Sequence, residues 1–360
     1  MNPADTPART GAGRLAALGR RLIVSEYFVV LLAALLFVIL WPVVPRIASL
    51  QNLANLASNV WPLLAIAVGQ TLVLIVAGID LSQIAVVALT SVLGGAIMTQ
   101  AANPVLFGQT PLWGVLLNEG GGMLSGSPLA VPVALVVMLG VGALIGLFNG
   151  SLIAFARVPP FIMTLVSLSF FSSFAVFLTR AENISNLPRA FTALGQGEIL
   201  PFVSFAALIS LGLALVVGFL LSRTVFGRWV YAVGQNPKAA TISGVPRTRV
   251  IVAVYTLSAL CATVGGILYS ARLGLGRPGF GQGFDLLLDV IGATVIGGTS
   301  LFGGRGKILW TVFGVILFAL LTNALNLLNL SYFTVNIVKG TFILAAALLD
   351  VARRQLLVTA

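Results

Sequence analysis

Histidine is absent from the 360 residues and cysteine occurs once, as Cys261 inside an apolar run. The usual zinc, haem and iron–sulfur sites are therefore excluded, as is any Ser/His/Asp or Cys/His catalytic arrangement. No intrachain disulfide can form, and no cofactor is expected. Charge is scarce as well. Asp, Glu, Lys and Arg make up 8% of the chain, whereas soluble domains run near roughly a quarter. There is no Gly-x-x-x-x-Gly-Lys-[Ser/Thr] phosphate loop. Gly306-Lys307 comes closest, but Ile308 stands where the hydroxyl should be and Leu301 where the first glycine should be, so nucleotide hydrolysis is not assigned to this chain. A voltage-sensor arginine ladder and a potassium-filter sequence are missing too.

What fills the space is hydrocarbon. Hydrophobic residues make up 59% of the chain and the mean hydropathy is +1.08. A helix crossing a bilayer needs about 20 mostly apolar residues, and lipid obliges each span to satisfy its own backbone hydrogen bonds. A transmembrane β-barrel would show short alternating runs; here the runs are continuous. The sequence predicts an all-α, polytopic transmembrane helical bundle of about ten spans, near 27–44, 60–77, 84–98, 129–148, 161–178, 200–221, 250–270, 286–296, 308–327 and 332–349. The third and eighth are too short to cross unaided. Each borders a glycine-containing break, Ala77-Gly78-Ile79-Asp80 or Gly297-Gly298-Thr299-Ser300, the kind of interruption tolerated where a helix lines a cavity or packs inside protein.

The formal charge is +11, which in a soluble protein would raise nucleic acid as a partner. Here it points to loops that hold orientation. With the N-terminus inside, 14 basic residues fall on inside segments and 5 on outside ones, so both termini are expected in the cytoplasm. That frames a cytoplasmic tail over 1–25, a membrane domain over 26–352 with its longest inside loop at 222–249, and a second tail over 353–360. The long outside connections are 99–128 and 180–198.

The segment 231–246 is the most informative. Asn236 suits an N-cap and Pro237 the first helical position, where its missing amide hydrogen costs nothing. Lys238 to Ser243 would form about two turns, Gly244 would take the left-handed exit, and Pro246 would stop the helix. So short a helix is unstable alone in water. Its careful capping suggests docking against a partner, the alternative being an ordinary capped turn between spans.

This segment resembles the cytoplasmic coupling region of permease subunits in bacterial ATP-binding-cassette (ABC) importers of the ribose type. Gly78-Ile79-Asp80-Leu81-Ser82, Asn149-Gly150 with Val158-Pro159-Pro160-Phe161-Ile162-Met163-Thr164-Leu165, Gly297-Gly298-Thr299-Ser300-Leu301-Phe302-Gly303-Gly304-Arg305-Gly306, and Asn323-Ala324-Leu325-Asn326 with Val338-Lys339-Gly340 are similar to that family's motifs in the same order. One departure stands out: Gln83-Ile84-Ala85 replaces the family's Val-Gly-Ser. The resemblance implies a membrane subunit that forms the path for a small neutral solute, a monosaccharide first of all, and catalyses no reaction. It implies a cytoplasmic ABC ATPase, an external solute-binding protein, a second permease copy and membrane lipid as partners, in a bacterial inner membrane. Asn236, Pro237, Lys238, Ala239, Ala240 and Gly244 would couple to the ATPase. A nucleoside, a polyol or autoinducer-2 are alternative solutes; a proton- or sodium-coupled transporter and a channel are alternative machines.

Asp80, Gln83, Asn323, Asn326 and Asn329 are candidates for the path or its gate. Asp80 could serve as gate or could cap the next short helix. The three asparagines, recurring every third residue, could meet a polar solute or could bond neighbouring helices. Asp285 and Asp289 share a helical face. Gly142, Gly146 and Gly150 read as a packing stripe, and Lys339 as the partner of a carboxylate or a snorkelling cation.

Overall fold

The computed structural model describes residues 28–200, 203–282 and 284–358. The N-terminal tail with Arg9, Arg14, Arg20 and Arg21, and the side chains of Arg353 and Arg354, lie outside what it describes. Among the described residues there are fourteen α-helices and two short hairpins. The helices are α1 (Phe28–Val43), α2 (Leu50–Ile75), α3 (Gln83–Met98), α4 (Pro104–Phe107), α5 (Ala130–Ala154), α6 (Pro160–Thr179), α7 (Arg189–Gln196), α8 (Phe205–Arg223), α9 (Val225–Gln235), α10 (Pro237–Ile242), α11 (Arg247–Leu273), α12 (Asp285–Ile296), α13 (Ile308–Leu327) and α14 (Tyr332–Val358). Each of the ten apolar segments read from the sequence contains a helix, that of 200–221 starting at Phe205. Seven are long and apolar enough to cross a membrane, α2, α5, α6, α8, α11, α13 and α14. The other three, α1, α3 and α12, are shorter; at about 1.5 Å per residue, the 12 residues of α12 reach only part of the way.

Burial sorts the helices into centre and rim. The apolar stretch of α2 is 83% buried and that of α11 67%, against 11% for α14. So α2 and α11 form the axis, packed on each other and on α3, α5, α8, α12 and α13. The glycine stripe of α5 lies against α11, as expected of small residues between helices. A Cβ at Gly146 would meet Ala259, and one at Gly150 would meet Val252.

Three helices end in the same way. At the end of α2, Gly78 N donates to Val73 O (3.0 Å) and Ala77 N to Leu74 O (2.9 Å). After α12, Thr299 N donates to Thr294 O (3.2 Å) and Gly298 N to Val295 O (2.9 Å). After α10, Val245 N donates to Ala240 O (3.0 Å) and Gly244 N to Thr241 O (3.1 Å). Each exit carries a residue of positive φ, Ala77 (60°), Gly298 (82°) and Gly244 (80°). This paired 6→1 and 5→2 bonding satisfies carbonyls that a helix end otherwise leaves orphaned.

The connection over 99–128 carries structure of its own. It holds α4, whose N-cap Asn103 accepts from Val105 N at 2.9 Å, and a hairpin of β1 (Leu117–Asn118) and β2 (Gly121–Gly122). Gln100 N donates to Asn186 O (2.9 Å) and Thr99 Oγ1 to Ser185 O (2.7 Å), fastening it to the connection over 180–198. The remaining hairpin pairs β3 (Glu198–Leu200) with β4 (Val203–Ser204) ahead of α8.

Candidate functional site

After α2 closes at Ile75 the chain turns back into the protein before α3 begins. Asp80 lies on that return and is buried, 1% exposed. Its Oδ1 accepts from Ser82 N (3.0 Å) and Ser82 Oγ (2.6 Å), and its Oδ2 from Ser258 Oγ (2.7 Å). Ser82 Oγ in turn accepts from Asn149 Nδ2 (2.9 Å), and Asn149 Oδ1 from Ser167 Oγ. Ser258 Oγ accepts from Gln83 Nε2 (2.9 Å). Each hydroxyl spends its one proton in the direction of Asp80, so the carboxylate is the terminal acceptor of a network drawn from α3, α5, α6 and α11. Such networks need every member, because an unpaired buried polar group costs about 1–3 kcal/mol. Ser82 precedes α3, and Asp80 reaches only its backbone N–H and hydroxyl; no side chain caps the amides of that helix's first turn.

Gln83, the departure from the family pattern, has a physical place here. It fills the space beside Gly69, where a Cβ would come within 3.0 Å of its Nε2, and it holds Ser258 toward Asp80.

The cytoplasmic face, by the orientation expected, is built around α9 and α10. Asn236 Oδ1 accepts from Lys238 N (3.1 Å) and Ala239 N (3.0 Å), closing the first turn as its residue type predicts. Of α10 only Ala240 is buried; Lys238, Ala239, Thr241 and Ile242 are exposed, Ile242 at 87%. A cavity of about 1060 Å³ opens beside α10, bordered by Pro237, Thr241, Arg157, Arg247 and Gly78, with Tyr255 among its walls.

The helix preceding α10 is bolted to the rest of the molecule. Tyr231 Oη donates to Gly306 O at 2.6 Å; burial pushes this phenol up, so it stays a donor. Gly304 N donates to Ile75 O at 2.8 Å. Gly234 lies so close to that carbonyl that a Cβ would overlap it, and Gly303 (φ 82°) lies against Ala77. The glycine-rich turn 297–306 thus joins α9 to the end of α2, a few residues before Asp80.

The other candidates are placed elsewhere. Asn323 exchanges two hydrogen bonds with Asn52 of α2, each 2.9 Å. Asn326 and Asn329 are exposed, and Asn329 has φ 53° in the turn before α14. The three do not share one set of neighbours. Asp289 is paired with Lys339 Nζ at 2.7 Å, and Asp285 accepts from Tyr332 Oη (2.7 Å) and Asn336 Nδ2 (2.8 Å), so both carboxylates bind α12 to α14. Sequence reasoning missed Ser258, Ser167 and Tyr231. Each is one of several polar residues in its helix, and nothing local says which of them faces the network or the glycine turn.

Residues 52–347 match the family described as the permease component of the branched-chain amino acid transport system. The chain belongs to this permease family. The ribose import permease protein of Bacillus subtilis is 35% identical over 309 residues, covering 85% of this chain and 86% of the relative. The L-arabinose ABC transporter permease protein of Azospirillum brasilense is 31% identical over 352 residues, 98% of this chain and 93% of the relative. The galactose/methyl galactoside import permease protein of Haemophilus influenzae is 30% identical over 316 residues, 85% and 88%. No solved structure matches. A permease of this family is a multi-pass membrane protein and a transport subunit, not an enzyme.

Proposed function

We propose that this chain is the membrane-spanning subunit of an ATP-driven importer that passes a small neutral sugar through a bacterial inner membrane. Relatives whose names specify ribose, arabinose and galactoside support the substrate class. The partners are a cytoplasmic ABC ATPase docked on α10, an external solute-binding protein, a second permease copy and the surrounding lipid.

The observation that carries this reading is the connection from α10 through α9 and the glycine turn to Ile75 and Ala77. It offers a rigid route by which movement of an exposed cytoplasmic helix reaches the break that holds Asp80. Both termini lie on the cytoplasmic side, with ten passes between them.

The test is uptake of labelled ribose, arabinose and galactose into vesicles holding the complete complex, with ATP hydrolysis measured in parallel. Uptake that requires ATP and the binding protein is the expected outcome. Uptake that proceeds without the ATPase would overturn the reading in favour of a channel or a secondary transporter. Ligand screening on the binding protein separates sugars from nucleosides, polyols and autoinducer-2.

A further inference from the structure

Three arginines share one cavity, and local chemistry disfavours the place where each stands. The cavity of about 1060 Å³ beside α10 is bordered by Arg157, from the turn between α5 and α6, and by Arg247 and Arg249, from the start of α11. No carboxylate lines it. Among the described residues, none of the three guanidinium groups has a hydrogen bond or an ion pair.

Arg157 has φ 57°, a left-handed backbone that glycine, asparagine and aspartate enter far more readily than arginine. Arg247 and Arg249 occupy the first turn of a 27-residue helix, the end that carries partial positive charge and favours acidic side chains. That turn holds no acidic residue and no side-chain cap. The backbone amides of Thr248 and Arg249 have no acceptor among the described residues.

One bound anion answers all of this. Amides at a helix start bind anions, and the arginine fork matches the oxygens of a phosphate two at a time. A negative charge between the arginines also offsets their repulsion from one another and from the end of α11. The surroundings select the source of that charge. Phe155, Phe161 and Ile162, close to Arg157 in the chain, are exposed, so apolar side chains that suit lipid flank the basic ones. Basic pockets between spans on the cytoplasmic side take anionic lipid headgroups.

We propose that this cavity binds a phosphate group and that its source is the headgroup of an anionic phospholipid. Arg157, Arg247, Arg249 and the first amides of α11 hold the phosphate, and the acyl chains lie along Phe161 and Ile162. Thr241 of α10 and Gly78 of the break before Asp80 border the same cavity, so the headgroup braces the coupling route from the membrane side. This goes beyond the importer reading and rests on it only for the side of the membrane that the cavity faces.

The test uses the full-length chain with its ATPase in lipid nanodiscs, carrying Thr248→Cys; the lone native cysteine, Cys261, is buried. An uncharged, membrane-impermeant maleimide is expected to label the introduced thiol quickly in phosphatidylcholine and several-fold more slowly once phosphatidylglycerol is included. Inorganic phosphate added to the phosphatidylcholine discs should not reproduce the slowing. Adding Arg157→Asn should weaken the affinity for phosphatidylglycerol by roughly fivefold or more, the worth of one cation at a lipid surface. Asparagine enters positive φ more readily than arginine, so this change does not act by unfolding the turn. Arg223→Gln, which removes a charge from the end of α8 outside the cavity, should leave the affinity unchanged.

Labelling indifferent to phosphatidylglycerol would overturn the proposal, whether it is fast because no headgroup enters or slow because an acidic segment of the ATPase fills the cavity. Equal slowing by inorganic phosphate would overturn the lipid as source and make the ligand a soluble anion. Equal effects of Arg157→Asn and Arg223→Gln would reduce the attraction to diffuse surface charge. The measurement needs neither ATP nor uptake, so ATP-independent uptake by the wild type would fail the importer reading and leave this site standing.

Discussion

Each oxygen of Asp80 receives hydrogens from Ser82 or Ser258 and gives none, so the two oxygens differ in what they tolerate. Oδ1 faces the backbone N–H of Ser82, which cannot turn away; Oδ2 faces a hydroxyl, which can. Asp80→Asn can therefore place its amide nitrogen at the Oδ2 position, with Ser258 rotating its proton aside. It should lose about 1 kcal/mol or less, while Ser258→Ala and Asp80→Leu, which strand partners on several helices, should lose about 1–3 kcal/mol or more. Thermal unfolding of the purified permease in detergent checks the order. If Asp80→Asn abolishes transport in a protein of normal stability, charge rather than acceptor geometry is what Asp80 supplies, and the gate is the better description. Asn323→Leu should destabilise by roughly 0.6–1.7 kcal/mol by stranding the Asn52 Oδ1; adding Asn52→Leu should recover only part of it, because Asn52 Nδ2 also holds Ile47 O (3.0 Å). A transport defect at unchanged stability would return Asn323 to the path.

At the scale of single elements, α10 gives the cleanest case. Gly244 has φ 80° and nothing within 4 Å of where a Cβ would sit, so Gly244→Val acts through backbone strain alone, about 1–2 kcal/mol. The spans are untouched. The expected result is normal membrane abundance with weakened ATPase binding, or ATP hydrolysis without uptake. Asn236→Ala should act in the same direction through loss of the cap, about 1 kcal/mol. Normal coupling in both would reduce α10 to a connecting turn. Nearly all of α10 was legible beforehand, because a cap, a proline and a left-handed glycine are local chemistry, stated by adjacent residues. The apolar spans were legible for the same reason, each run carrying its own length and hydropathy. What adjacency could not convey is which helix meets which. Ser82 and Asn149 stood within recognisable motifs, yet their bond spans two helices, and Ser258 belongs to neither motif. Ile242, 87% exposed on α10, was passed over because an isoleucine near a membrane protein's spans looks ordinary until its exposure is known.

For the molecule as a whole, the arrangement of charge sets two expectations. Reporter fusions within 222–249 should behave as cytoplasmic and fusions within 99–128 as external; the opposite pattern would invert the orientation and remove α10 from the ATPase. The pairing of Asp289 with Lys339 and of Asp285 with Tyr332 and Asn336 leaves neither carboxylate available to carry a coupling ion. Uptake should therefore persist when the proton gradient is collapsed at constant ATP, and should be unaffected in its uncoupler response by Asp285→Asn. Uptake that stops with an uncoupler while ATP is maintained would revive the secondary transporter.

The bond from Gly304 N to Ile75 O also has a meaning in time. α2 is made early and is the most buried of the long spans, but one carbonyl at its C-terminal end waits for an amide synthesised far later. Until the turn around Gly304 leaves the ribosome and docks, the nascent chain holds an unfinished helix end beside an Asp80 whose Ser258 partner also arrives late. The early spans can insert, yet they cannot lock. Membrane proteases and chaperones thus meet a chain whose centre is the last part to set, and a stall anywhere before α13 leaves that centre open to them.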